Sequence, residues 1–245
     1  MKISNSIFLA ASGASGFDLS HRLDCNAWLF TDGSHHCLFD AGAGFEVNDI
    51  FKRMQATGLD PSGLTHLFLT HGHADHSGGA AEFADRLPEM KIVSGRRTAD
   101  ILAAGDERLI SLDRARGRVY PLDYTWTAPR VDVVLQDRQS MTVGAFEINL
   151  IETPGHSDDH CVYLVAYPGH RALVAGDAVF AGGRVVLQDI EDCSVAKTLA
   201  SIRLLATLDF EIFLAGHDRF SLKDGKRHVA AALTFADAGL PPPQL

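Results

Sequence analysis

Thr70-His71-Gly72-His73-Ala74-Asp75-His76-Ser77-Gly78-Gly79 decides how the rest of the chain is read. Three histidines and one aspartate stand within six consecutive positions, from His71 to His76. Imidazole and carboxylate together are the donor set that borderline divalent metals prefer. Two metal-binding histidines on one helix face would stand at i and i+4. Here His71 and His73 stand at i and i+2, which predicts an extended segment or tight loop, where alternate side chains share a direction. Asp75 and His76 follow directly and are expected to point elsewhere. One loop thus offers two ligand sets, His71 with His73 and Asp75 with His76, and that suits two metal ions a few ångströms apart.

Working outward, the same local grammar recurs. An apolar run ends and a metal-type residue follows: Leu67-Phe68-Leu69 before His71, Ile148 to Ile151 before His156, Leu173-Val174-Ala175 before Asp177, and Phe213-Leu214-Ala215 before His217. If these runs are strands sharing direction, their ends gather at a sheet edge, where sites in layered α/β folds form. Strands are also expected over Ser6 to Ala11, Lys91 to Val93, Val131 to Leu135, Met141 to Glu152 and His160 to Ala166. Asn26 to Thr31 and Cys37 to Asp40 read as a hairpin about Asp32-Gly33-Ser34. Helical periodicity marks Val47 to Ala56, Ala80 to Leu87, Thr98 to Ala104, Val195 to Leu208 and Asp224 to Ala238. Residues 105–130 carry weak alternation, and Arg114, Arg116 and Arg118 read there as a solvated face.

Composition bounds the rest. With 245 residues, 46% of them hydrophobic, the chain can bury a sizeable core, and no low-complexity linker divides it, so a single domain over 1–245 is expected. The net charge of −9, without any basic run, argues against nucleic acid as a partner. No apolar run approaches a membrane span, and the N-terminus lacks a leader pattern, so a cytoplasmic protein without membrane contact is expected. The four cysteines show no C-x-x-C spacing and read as reduced, small apolar residues. Oligomeric state stays open, a homodimer included.

The ordered set H-x-H-x-D-H, Thr153-Pro154-Gly155-His156, Gly176-Asp177 and Gly216-His217 resembles the metallo-β-lactamase superfamily. The resemblance implies an α/β fold, an αββα sandwich of two similar halves. It implies that His71, His73 and His156 hold one metal ion, that Asp75, His76 and His217 hold a second, and that Asp177 bridges them. The cofactors implied are two divalent ions, zinc first, with iron or manganese as alternatives. A metal-bridging hydroxide would then cleave an ester, thioester or lactone bond in a small-molecule substrate, with Asp75 also orienting that hydroxide and shuttling a proton. Asp40 and His160 are candidates to brace the ligands. Phe17, Arg22, Phe180 and Arg184 are candidates to flank the substrate.

Departures narrow the branch. True β-lactamases of this superfamily carry Cys or Ser where this chain has Asp177. A lactonase branch places Tyr where Phe180 stands. Asp177 to Arg184 looks most like hydroxyacylglutathione hydrolases, although the length predicts no room for their extra C-terminal domain. Two other readings compete: a mononuclear iron oxidoreductase resembling persulfide dioxygenases, and a metal-containing binding protein without catalysis.

Overall fold

Three apolar runs of four or five residues at the start of the chain form an antiparallel ribbon. They are β1 (Ile7–Ala11), β2 (Ala27–Thr31) and β3 (His36–Phe39), all fully buried, with Trp28 opposite Phe39 and Thr31 opposite His36. The computed structural model describes residues 1–245 and divides into two compact units, Met1–Leu135 and Gln136–Leu245.

In the first unit the strand order is β1-β2-β3-β4-β5-β6, with β4 (Leu64–Phe68), β5 (Lys91–Gly95) and β6 (Val133–Leu135). From β3 to β6 the neighbours are parallel. Parallel neighbours need crossovers, and helices supply them. They are α1 (Val47–Ala56), then a single turn, α2 (Ala74–Ser77), followed by α3 (Ala80–Arg86), and then α4 (Arg96–Ala104) with the short α5 (Leu112–Ala115). The buried faces of α1 (Val47, Ile50, Met54) and α3 (Ala80, Phe83, Ala84) join Leu29, Leu38, Leu67 and Ile92 in one core.

In the second unit the order is β11-β10-β9-β8-β7. Here β7 (Ser140–Val143), β8 (Phe146–Glu152), β9 (Cys161–Tyr167) and β10 (His170–Gly176) are successively antiparallel, and β11 (Ile212–Ala215) lies parallel to β10. The crossover before β11 contains α6 (Val195–Leu205), and α7 (Lys226–Asp237) ends the unit. Ile202 and Leu205 of α6 and Val229 and Ala232 of α7 share a core with Leu173 and Phe213. The two-residue turn Gly144-Ala145, with Gly144 at φ +55°, separates β7 from β8. The segment Met141 to Glu152 is therefore two strands.

Direction fixes where the loops emerge. Strands β8, β10 and β11 run the same way, so the residues after them leave one edge of the second sheet, and β9, running back, starts there. His156, His160, Asp177 and His217 occupy those positions. In the first sheet β3 and β4 are parallel, so Asp40 and Thr70-His71 leave one edge likewise.

Candidate metal centre

In the first unit, residues 70–73 are non-helical and α2 follows immediately. The His71 and His73 rings lie 4.7 Å apart, centroid to centroid. His76 does not point elsewhere. One helical turn swings it back, and its ring lies 4.2 Å from that of His71. Its Nε2 stands 3.8 Å from Asp75 Oδ2. The return is tight enough to demand glycine. A Cβ on Gly79 would stand 2.3 Å from the Ala41 carbonyl oxygen.

Asp40 organises this edge. It sits at φ +62°, unusual for a residue with a side chain. Its carboxylate accepts the Thr70 N–H at 2.8 Å and the Thr70 hydroxyl at 2.9 Å, and it meets His76 Nδ1 at 2.8 Å. A carboxylate only accepts, so His76 carries its proton on Nδ1 and leaves the Nε2 lone pair available. The Thr70 hydroxyl has spent its one proton on Asp40. Its 2.9 Å contact with His71 Nδ1 therefore runs from that ring nitrogen, and His71 too presents Nε2 as a lone pair. Cys25 is buried behind this network, with its sulfur within 4.8 Å of ligand atoms of Asp40 and His76. Burial pushes its thiol up to about 12.

In the second unit, the loop that holds His156 is fastened to α6. The Ser194 N–H donates to the Gly155 carbonyl at 2.7 Å, and the Ser201 hydroxyl donates to that of Pro154 at 2.7 Å. Gly155, at φ +153°, lets this approach happen, since a Cβ there would stand 2.6 Å from the Thr198 backbone. His156 Nδ1 donates to the Val186 carbonyl at 3.2 Å, so its Nε2 is again the lone pair, and it faces Asp177 Oδ2 at 3.6 Å. His217 Nε2 faces the same oxygen at 3.5 Å. Both gaps exceed a hydrogen bond. Ligand bonds of about 2.0 Å at a tetrahedral angle put neighbouring donors roughly 3.3 Å apart. The Asp177 backbone N–H donates to His160 Nε2 at 2.9 Å, so His160 is neutral, with its proton on Nδ1 beside Thr153 Oγ1 at 3.0 Å.

The donor chemistry of each unit therefore fits a divalent ion. Imidazole nitrogens are held as lone pairs by proton-accepting neighbours, and a buried carboxylate oxygen lies between two rings in the second unit.

The remaining candidates fall differently. Phe180 is fully buried and packs in the second unit's core, its ring 6.2 Å from that of His217. It is corrected from a substrate-facing residue to a core residue, because the chain after Asp177 turns back into the sheet's apolar layer. Arg184 is held by Asp218 and by the Ala181 carbonyl. Phe17 is half-buried and Arg22 exposed, both on the loop between β1 and β2. Of the three arginines read as a solvated face, Arg116 is tied down. It forms two bonds to Glu107, at 2.6 and 2.7 Å, and one to the Tyr124 carbonyl. Sequence reasoning missed Thr70, Thr153 and the Val186 carbonyl. They are ordinary residues whose role depends on a neighbour's proton. It missed Cys25 because no periodicity pointed to it.

Comparison with known proteins follows the same lines. The family model described as the metallo-beta-lactamase superfamily matches residues 22–217. A hydroxyacylglutathione hydrolase of Acidiphilium cryptum is 30% identical over 209 residues, covering 84% of this chain and 70% of that protein. A thioesterase of Emericella nidulans is 28% identical over 192 residues, and this chain spans only 45% of its length. Among solved structures, a metallo-β-lactamase of Cronobacter sakazakii superposes with TM-score 0.74 at 19% identity, over 98% of this chain and 94% of that one. The native FEZ-1 metallo-β-lactamase of Legionella gormanii superposes at 0.69 and 17%, over 89% of each chain.

Proposed function

The chain belongs to the metallo-β-lactamase superfamily and has its fold, and on that premise we propose that it is a dinuclear metal-dependent hydrolase acting on a thioester, with esters and lactones as the neighbouring classes. The observation that carries the reading is the shared protonation of His71, His76 and His156. Each is held with its proton on Nδ1 and its lone pair on Nε2, the state a metal ligand needs. The thioester preference is supported by relatives that include a hydroxyacylglutathione hydrolase and a thioesterase.

In this proposal His71, His73 and His156 hold one ion, Asp75, His76 and His217 hold the other, and Asp177 is shared. The whole of residues 1–245 then works as a single catalytic domain. Two divalent ions so held would acidify a water between them and polarise the acyl carbonyl. The protein's own part is positional. Asp40 keeps His76 charged-bonded and aimed, and His160 fixes the Asp177 backbone. An Asp75 carboxylate oxygen takes the proton of the attacking water as the acyl carbon–oxygen bond forms, then returns it to the departing sulfur as the carbon–sulfur bond breaks. The products are a carboxylic acid and a thiol.

A substrate panel of acyl thioesters, esters and lactones tests this. The zinc-loaded protein should cleave at least one class, lose that activity on chelation and regain it on adding zinc. A metal-replete protein that is silent on the panel but consumes oxygen with a persulfide would overturn hydrolysis in favour of oxidation.

A further inference from the structure

The proton of His156 is set by a main-chain carbonyl, that of Val186, and the stretch after α7 holds that carbonyl in place. Helix α7 stops at a left-handed residue. Gly239 stands at φ +72°, its N–H donates to the Ala236 carbonyl at 3.0 Å, and the Leu240 N–H reaches back to the Phe235 carbonyl at 3.0 Å. Pro241-Pro242-Pro243 follows, and three consecutive prolines cannot resume a helix but hold the chain extended and stiff. Pro242 is buried. This strap runs along the segment after Arg184, with Gln244 paired in parallel with Val185. The Val185 N–H donates to the Pro243 carbonyl at 2.9 Å, and the Leu245 N–H donates to the Val185 carbonyl at 2.9 Å. The Leu187 N–H donates to Gln244 Oε1, also at 2.9 Å. In an extended chain, successive residues aim their N–H and C=O groups at opposite edges. With Val185 and Leu187 turned to the strap, Val186 turns its carbonyl the other way, where His156 Nδ1 meets it at 3.2 Å.

We propose that residues 243–245 are a positioning device for His156: they fix the Val185–Leu187 backbone so that the Val186 carbonyl keeps the His156 proton on Nδ1 and its lone pair on Nε2. The inference rests on the reading of His156 as a metal ligand. The Val185 side chain is buried in the second unit's core, with Val186 and Leu187 packed partly against it, and that packing fixes where the segment lies. It does not fix which way each peptide plane faces. The three bonds on the strap side do. A rotated plane would take the carbonyl away from Nδ1 and free the ring to carry its proton on Nε2, where no lone pair remains for an ion. The bonds from Ser194 and Ser201 go to the Gly155 and Pro154 carbonyls, so they set the loop rather than the ring's proton. That second task falls to the strap.

The test compares wild type with a chain ending at Pro242, with Gln244→Ala, which removes one of the three bonds, and with Gln244→Glu, which keeps an acceptor oxygen. Long-range nitrogen–proton correlation spectra of the metal-free proteins at pH 8 read the His156 tautomer, with His156→Gln to assign the signals. Zinc titration against a chromophoric chelator reads affinity. Wild type should show the His156 proton on Nδ1. The shortened chain should populate both tautomers and bind the ion held by His156 about 10- to 100-fold more weakly, the scale on which groups bracing a ligand act. Gln244→Ala should weaken that ion by about 2- to 10-fold, the worth of one neutral hydrogen bond, and Gln244→Glu should restore it. A shortened chain that keeps the Nδ1 proton and wild-type affinity overturns the inference. So does a loss of affinity with the tautomer unchanged, since that marks general loosening. If the shortened chain does not fold, the Gln244 variants decide, and a Gln244→Ala indistinguishable from wild type overturns the inference. A wild type that binds no zinc overturns the metal reading, whereas a wild-type His156 with its proton on Nε2 overturns this inference whatever the metal count.

Discussion

The two units present their donors in opposite ways. The first concentrates them in one loop, His71 to His76, and backs them with a charge: the buried Asp40 carboxylate grips His76 and Thr70 together. The second disperses them, one residue per strand end, and backs them with a neutral group: His160 receives the Asp177 backbone N–H. In one a carboxylate orients a histidine, and in the other a histidine orients an aspartate. The difference teaches that the ring nitrogens are made into lone pairs by whatever proton acceptor each unit has to hand, the Asp40 carboxylate, the Thr70 hydroxyl or the Val186 carbonyl. It also says that the first unit should depend more on charge and the second more on backbone geometry.

The largest effect expected is at Asp177, whose Oδ2 faces two ring nitrogens of its own unit. Asp177→Ala should lower hydrolysis by at least ~100-fold, the scale of placed electrostatic groups, while circular dichroism stays native. Near-normal turnover with two ions bound would show that Asp177 is not shared.

Next in size is the comparison itself. Asp40→Asn removes the charge behind His76 and should weaken activity or metal affinity by roughly 10- to 100-fold. His160→Gln replaces one neutral acceptor and should cost less than about tenfold, since a neutral hydrogen bond is worth about 0.5–1.5 kcal/mol. Zinc titration and kcat of the two variants measure this. If His160→Gln proves the more damaging, the contrast between charged and neutral backing is wrong.

How far these features were legible in the sequence follows from the same contrast. The dense loop announces itself, because four donors in six positions need no fold to be noticed. The dispersed donors were legible only through the repeated pairing of an apolar run with one donor, which works because strands β8, β10 and β11 share a direction. The elements were readable to within two or three residues wherever burial imposes a period; the helix expected over Val195 to Leu208 ends at Leu205. Helix α1 falls on Val47–Ala56 as the spacing predicts. Legibility stopped where side chains interact without a period. Arg116 looks like surface charge until Glu107 is found beside it, and Phe180 looks like a mouth residue until the chain is seen to turn inward.

A smaller effect concerns pH. His228 in the second unit is buried, accepting the Gly182 N–H at Nδ1 and contacting the Ser221 hydroxyl through Nε2. Burial holds it below the usual 6.5. As pH falls, the unfolded chain takes up this proton before the folded one does. The stability is therefore full above about 6.5 and is lost as pH falls through that value toward the lower folded one. His66 in the first unit, also lowered by burial, acts in the same direction. Melting curves between pH 8 and pH 5 should show Tm falling as pH is lowered. The fall should be shallower in His228→Leu. An unchanged slope in that variant would remove His228 from the account.

The smallest effect is chemical rather than energetic. Cys25 and Cys37 of the first unit and Cys161 of the second are buried, whereas Cys193 is only partly so. Burial pushes the Cys25 and Cys37 thiols up to about 12. At pH 8 a thiol reagent should label Cys193 first and reach the other three only on unfolding. Early labelling in the first unit would mean that the packing behind Asp40 opens in the native state.

The most direct test of the central claim is a metal count. Protein purified without chelator, equilibrated with excess zinc and freed of unbound ions by gel filtration, goes to elemental analysis. The dinuclear reading proposed above predicts about two zinc ions per chain, falling toward one in Asp177→Ala. One ion per chain in the wild type, even after excess zinc, would contradict it.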